Sequence, residues 1–162
     1  MPARSMVALS AALLSACSGA DKVIGLAQHI HHDDFEYSVQ RVDRAERIGN
    51  RQATGLFHVV TFEVENRARV VDHVWDNAVA YLVDDNEAQY ENDAAAQQAL
   101  TRVEPFNLKD RYITRAGALE TTRLVFDLPR EVRRPYLKVR GMVLMGDVFD
   151  GMQYRRTRVR LF

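Results

Sequence analysis

The densest cluster of chemistry-bearing side chains is His29-Ile30-His31-His32-Asp33-Asp34. Imidazole nitrogens and carboxylate oxygens are the ligands that hold Zn²⁺ or Cu²⁺. Residues two apart on a strand share a face, so His29 and His31 point the same way. With His32 and Asp33 they make a candidate metal set of His29, His31, His32 and Asp33. No cysteine and no second paired-histidine motif joins it, and the plainer reading is a polar strand start followed by a turn. A second candidate is the basic C-terminal run, in which Arg156, Arg158 and Arg160 alternate with Thr157, Val159 and Leu161. On a strand the arginines would form one row, able to meet anionic lipid or a cell-wall polymer, or simply to keep an edge soluble.

Other constellations are weaker. His58 and His73 are isolated, and no Gly-x-Ser-x-Gly elbow accompanies them. Asp84-Asp85-Asn86 lacks the spacing of a calcium loop and reads as a hairpin turn. Glu63 and Glu65 share a strand face and read as a solvated surface rather than an acid/base pair. No phosphate-binding glycine loop occurs. No catalytic residue is nominated, no cofactor is expected, and the chain is read as a non-enzyme.

The lone cysteine of the chain is Cys17. One cysteine excludes an internal disulfide and a cysteine zinc site. It closes a short uncharged run, Met6 to Leu14, that follows Arg4. That run is too short to span a bilayer but fits the apolar part of a signal peptide. Leu14-Ser15-Ala16-Cys17 resembles a bacterial lipobox. The resemblance implies cleavage before Cys17, acylation of its sulfur and amine, and stable anchoring by two or more chains at roughly 0.8 kcal/mol per buried CH₂. Ser18 in place of aspartate favours onward sorting to the outer membrane. The domain reading is a lipoprotein signal peptide at 1–16, lipidated cysteine and tether at 17–28, and a folded domain at 29–162.

Length and composition bound that domain. The chain has 162 residues, 47% hydrophobic and 27% charged, which suits one globular unit and excludes whole-chain disorder. Lys+Arg and Asp+Glu both total 22, so bulk attraction to nucleic acid is excluded as the organising feature.

The elements that must position these residues are mostly strands. Phe35, Tyr37 and Val39 alternate with polar residues. Gly55 to Asn66 is rich in β-branched and aromatic residues and apolar on both faces at first, which places it centrally in a sheet. Further strands are expected at Trp75 to Val83, Leu119 to Leu128, Tyr136 to Met145 and Tyr154 to Phe162, with a turn at Asp147 to Gly151. Asp93 can cap one short alanine-rich helix ending at Leu100. The expected fold is all-β: an immunoglobulin-like antiparallel β-sandwich of about seven or eight strands with one short helix in a loop.

The strand pattern Phe35-Glu36-Tyr37-Ser38-Val39, then Gly55 through Asn66, Tyr81 to Asp85 with Tyr90, and Leu124-Val125-Phe126-Asp127-Leu128-Pro129 is similar to the telokin-like, immunoglobulin-fold domain of unknown function carried by many bacterial lipoproteins. The resemblance covers most of residues 28–140 and implies a β-sandwich in an extracytoplasmic setting. It carries over no catalytic residue. The expectation is a membrane-anchored, periplasm-facing, non-catalytic domain that binds a protein or cell-envelope component. The alternative is an extracytoplasmic metal-binding protein using His29, His31 and His32.

Overall fold

The computed structural model describes residues 21–104 and 108–162. Its strands run β1 (Lys22–Ile24), β2 (His29–His32), β3 (Phe35–Ile48), β4 (Arg51–Asn66), β5 (His73–Asp76), β6 (Ala80–Val83), β7 (Gln89–Tyr90), β8 (Arg111–Thr114), β9 (Leu119–Leu128), β10 (Tyr136–Val139) and β11 (Thr157–Arg160). The helices are α1 (Ala94–Val103), α2 (Met145–Asp150) and α3 (Gln153–Arg156). One sheet has the order β1-β11-β10-β6-β7, and the other β2-β3-β4-β9; β5 and β8 pair as a separate ribbon. The fold is an all-β sandwich, antiparallel except where β1 runs parallel to β11.

The alternation in β3 and β4 builds the core. Tyr37 and Val39 from β3 meet Val60, Phe62 and Val64 from β4, together with Leu124, Phe126 and Leu128 from β9. The facing sheet contributes Leu82, Leu137 and Val159. Each such side chain contributes about 1.5–3 kcal/mol on burial. Trp75 closes one side, stacked at 4.1 Å on Tyr112, with its indole N–H donating to Thr114 Oγ1 at 2.9 Å.

The second apolar face of β4 is also explained. Phe57 and Val59 turn outward with Val125 and are covered by Ala96, Ala99 and Leu100 of α1. Asp93 caps that helix by accepting from the N–H groups of Ala95 and Ala96. Gln97 then guards the free edge of β9: its Oε1 accepts from Val125 N–H, and its amide donates to Arg123 O. An edge that would otherwise invite another strand is thereby occupied.

Six expectations require correction. Residues 75–83 are not one strand, because the Asp76 carboxylate accepts from Ala78 N–H and starts a 3-10 turn at Asn77–Val79 that divides β5 from β6. β10 ends at Val139 rather than Met145, and the turn expected at Asp147 to Gly151 is largely helix α2. There the Asp147 carboxylate reaches back to Leu144 N–H at 2.7 Å, and Gly151, at φ 70°, ends the helix. Tyr154 to Arg156 belong to α3, so the last strand starts at Thr157, and the described residues form three α-helices instead of one. Finally, Lys22–Ile24 lie in a sheet, so the sandwich starts within the segment expected to be tether.

Candidate functional site

The alternation of β2 divides its histidines. His29 and His31 face solvent, while Ile30 and His32 are buried. His32 is only 1% exposed and sits beneath the segment that follows β10. Tyr154 stacks on its ring at 4.0 Å. Gly141 passes so close that a Cβ there would lie 2.5 Å from His32 Cε1, so glycine is required at this crossing.

His32 Nε2 lies 3.1 Å from Met142 O and 3.0 Å from Asp147 Oδ2. A carbonyl and a carboxylate oxygen both accept, which assigns the proton to Nε2. His32 Nδ1 is 3.2 Å from the Tyr37 hydroxyl, which is in turn 2.8 Å from His73 Nε2. With Nδ1 accepting from Tyr37, the phenol oxygen accepts from His73, and the bonds run in one direction from His73 to Asp147. Burial raises the Tyr37 phenol above its ordinary value, with Tyr154 and Asp147 adding to it, so the hydroxyl keeps its proton. Burial, reinforced by nearby His32, pushes His73 down to about 4, so it is neutral at physiological pH. Asp147 is fully buried, and its second oxygen, Oδ1, has no hydrogen-bond partner among the described residues.

This network lies at the base of a cleft of about 540 Å³. Val71, Val74, Trp75, Val79, Met142 and Leu144 line it together with Phe35, Tyr37, His32 and His73, and Asp72, Asp76 and Arg140 add charged side chains. Phe35 stacks on His73 at 3.9 Å and holds the imidazole against the wall. Asn66 supports the wall from behind: its amide donates to Val71 O and Thr114 O, and its oxygen accepts from Ala68 N–H. Apolar walls with a few fixed polar groups are the usual make-up of a binding pocket.

The structure separates the residues nominated from sequence. His29 and His31 reach Glu36, at 3.1 and 3.6 Å, while His32 faces the opposite way. The three histidines therefore do not converge. Instead, His29, Glu36 and Glu65 place ligand atoms within 4.8 Å of one another. Arg67 occupies this corner, 2.7 Å from Glu36 and 3.9 Å from Glu65. Asp33 takes a turn conformation at φ 55° and receives Gly146 N–H at 3.4 Å. Arg156 lies in α3 and donates to Gly151 O. Arg158 pairs with Glu87 at 2.9 Å and lies over the Tyr136 ring, and Arg160 is exposed on β11. The expected arginine row does not form, because only two of its members are on the strand. Cys17 lies outside the described residues. Asp84 makes the expected turn by accepting from Asn86 and Ala88. Asp147, Tyr37 and Tyr154 join the site with no sequence motif to mark them.

No family model and no curated protein matches the chain. Solved structures do. The yjhA protein from Bacillus subtilis aligns with a TM-score of 0.59 and 12% identity, over 85% of this chain and 98% of that one. A conserved hypothetical protein from Bacillus anthracis gives 0.55 and 19%, over 71% of this chain and 88% of its own. An uncharacterized beta-sandwich protein from Clostridium difficile gives 0.51 and 10%, over 88% and 95%. These likenesses show a shared β-sandwich.

Proposed function

We propose that the chain is a bacterial lipoprotein, cleaved before Cys17 and held in the membrane by acyl chains on that residue. Its sandwich faces the periplasm, with the outer membrane favoured, and acts as a non-catalytic binding domain of the immunoglobulin-like, telokin-like kind. Its occupant is a protein or cell-envelope component seated in the cleft. The observation that carries the binding reading is the cleft itself. Its lining is mainly apolar, its floor of His32, Tyr37 and His73 is closed by mutual hydrogen bonds, and Asp72, Asp76 and Arg140 stand among the lining residues. The bonds of His32 run to Tyr37, Met142 and Asp147, and none runs to a serine, threonine or cysteine among the described residues. The lipobox and the absence of any other cysteine support the anchor.

Two measurements test this reading. Intact mass of the native protein should show a chain beginning at Cys17 with added acyl mass; an unprocessed chain with a free thiol overturns the anchor. A photo-crosslinking residue at Val74, in the cleft wall, should capture one reproducible envelope component in cells. No reproducible product overturns the binding reading.

The convergence of His29, Glu36 and Glu65 favours a second reading, an extracytoplasmic metal site that excludes His32. Zn²⁺ would have to displace Arg67. Calorimetry should then show binding that is lost in His29→Ala; equal heats in both chains end this reading.

A further inference from the structure

Strand directions gather one set of features at one end of the sandwich. β10 and β11 are antiparallel, so everything between Val139 and Thr157 caps the same end. Lys22 pairs with Thr157, so the chain joins the sandwich at that end too. β6 begins there, opposite Val139, and brings β5 and the segment before it. The β2–β3 turn lies there as well, since Asp33 meets Gly146.

This end carries an inverted helix. A surface helix ordinarily buries its apolar side chains and exposes its polar ones. In α2 the buried residue is Asp147, while Met145, Val148 and Phe149 are 76, 66 and 85% exposed. Met142, in the segment that leads into the helix, is 82% exposed. Asp147 is turned inward by its bonds to His32 and Leu144, so the outward apolar face is imposed by the network rather than by chance rotation. A contiguous exposed apolar patch marks a surface that meets something apolar.

The length of chain before the sandwich decides what that is. From Cys17 to Lys22 is a step of five residues in the sequence, at most about 18 Å even fully extended. The polar layer on each side of a bilayer is about 5–8 Å thick. A domain tied so closely to its anchor, at the end where its apolar side chains project, has no room to stand away from the surface. We propose that α2 and the segment before it dock into the interfacial layer of the membrane that holds Cys17, with Phe149, Met145 and Val148 reaching the acyl boundary. Arg155 and Arg156, exposed on adjacent α3, then lie at headgroup level. The inference rests on the lipid-anchor reading above and adds an orientation to it: the end of the sandwich that carries α2 faces the membrane.

The test uses the full chain as processed by the cell, reconstituted in phosphatidylethanolamine–phosphatidylglycerol vesicles with and without brominated acyl chains. Phe149→Trp places a reporter in the patch, and Gln52→Trp places one at the far end. The parent chain supplies the background of buried Trp75. Brominated lipid should quench the added emission of Phe149→Trp severalfold more than that of Gln52→Trp, and its spectrum should shift to the blue. Equal quenching of the two in a sample whose mass shows acylation overturns docking and leaves the anchor standing. A mass without acyl groups overturns the anchor, and docking falls with it. Crosslinks from position 149 to a protein rather than to lipid also overturn the proposal.

Discussion

Removing the Asp147 carboxylate should release the arm that caps the cleft. Its Oδ2 alone carries both bonds, from Leu144 N–H and from His32 Nε2. In Asp147→Ala the N-terminal cap of α2 is lost, at about 1 kcal/mol. Buried His32 keeps only Met142 O on that nitrogen, and a buried polar group deprived of a partner costs about 1–3 kcal/mol. The total is about 2–4 kcal/mol. At about 2–4 °C per kcal/mol for a chain of this size, Tm should fall by about 5–15 °C. Asp147→Asn distinguishes the causes. An amide oxygen at the Oδ2 position can accept both bonds, and the amide nitrogen falls at Oδ1, which has no partner among the described residues. Asparagine should therefore cost clearly less than alanine, about 1 kcal/mol. Urea unfolding of the three chains measures these differences, and hydrogen exchange should show that residues 142–150 lose protection first. An alanine chain within 0.5 kcal/mol of the parent, or equal losses for the two variants, would refute the reasoning.

Three more outcomes are expected. Folded His73 titrates near 4 against an ordinary value of about 6.5, so the unfolded chain takes up the proton first as pH falls. Its contribution is full above about 6.5 and is lost as pH falls from there towards 4; NMR titration should place His73 near 4, and a midpoint near 6.5 would contradict its burial. Asn66→Ala removes three buried bonds behind the cleft wall and should cost about 2–4 kcal/mol, measured by urea unfolding, with faster exchange at residues 68–72. Gly55→Ala would set a Cβ 1.9 Å from Leu128 O, and should cost at least about 2 kcal/mol in the same assay.

What could be read from the sequence follows the range of the interactions. β9 spans Leu119–Leu128, the bounds that its β-rich run ended by Pro129 suggests. The two apolar faces of β4 mark a strand between two neighbours, and β4 indeed lies between β3 and β9. Asp93 and the alanines after it mark α1. These signals are local. β1 is only three residues long and exists because it meets β11 from the far end of the chain. α2 forms where the sequence reads as a turn and α3 takes the first residues of what reads as strand, because a carboxylate of α2 is bonded to a histidine 115 positions away in sequence. The period-two rule that puts His29 and His31 on one face also puts His32 on the other. That alternation is the one local signal of the buried site. Nothing in the sequence around Asp147 or Tyr154 marks them as partners of His32.

The pairing of β1 with β11 has a mechanical consequence. The two strands run the same way, with Lys22 beside Thr157 at one end and Ile24 beside Val159 towards the other. A pull at Asp21, resisted at the C-terminus, therefore slides the first strand along the last instead of peeling it away. The rungs of that ladder bear the load together, and tension applied through the N-terminus meets its resistance at the seam where the chain's two ends are joined.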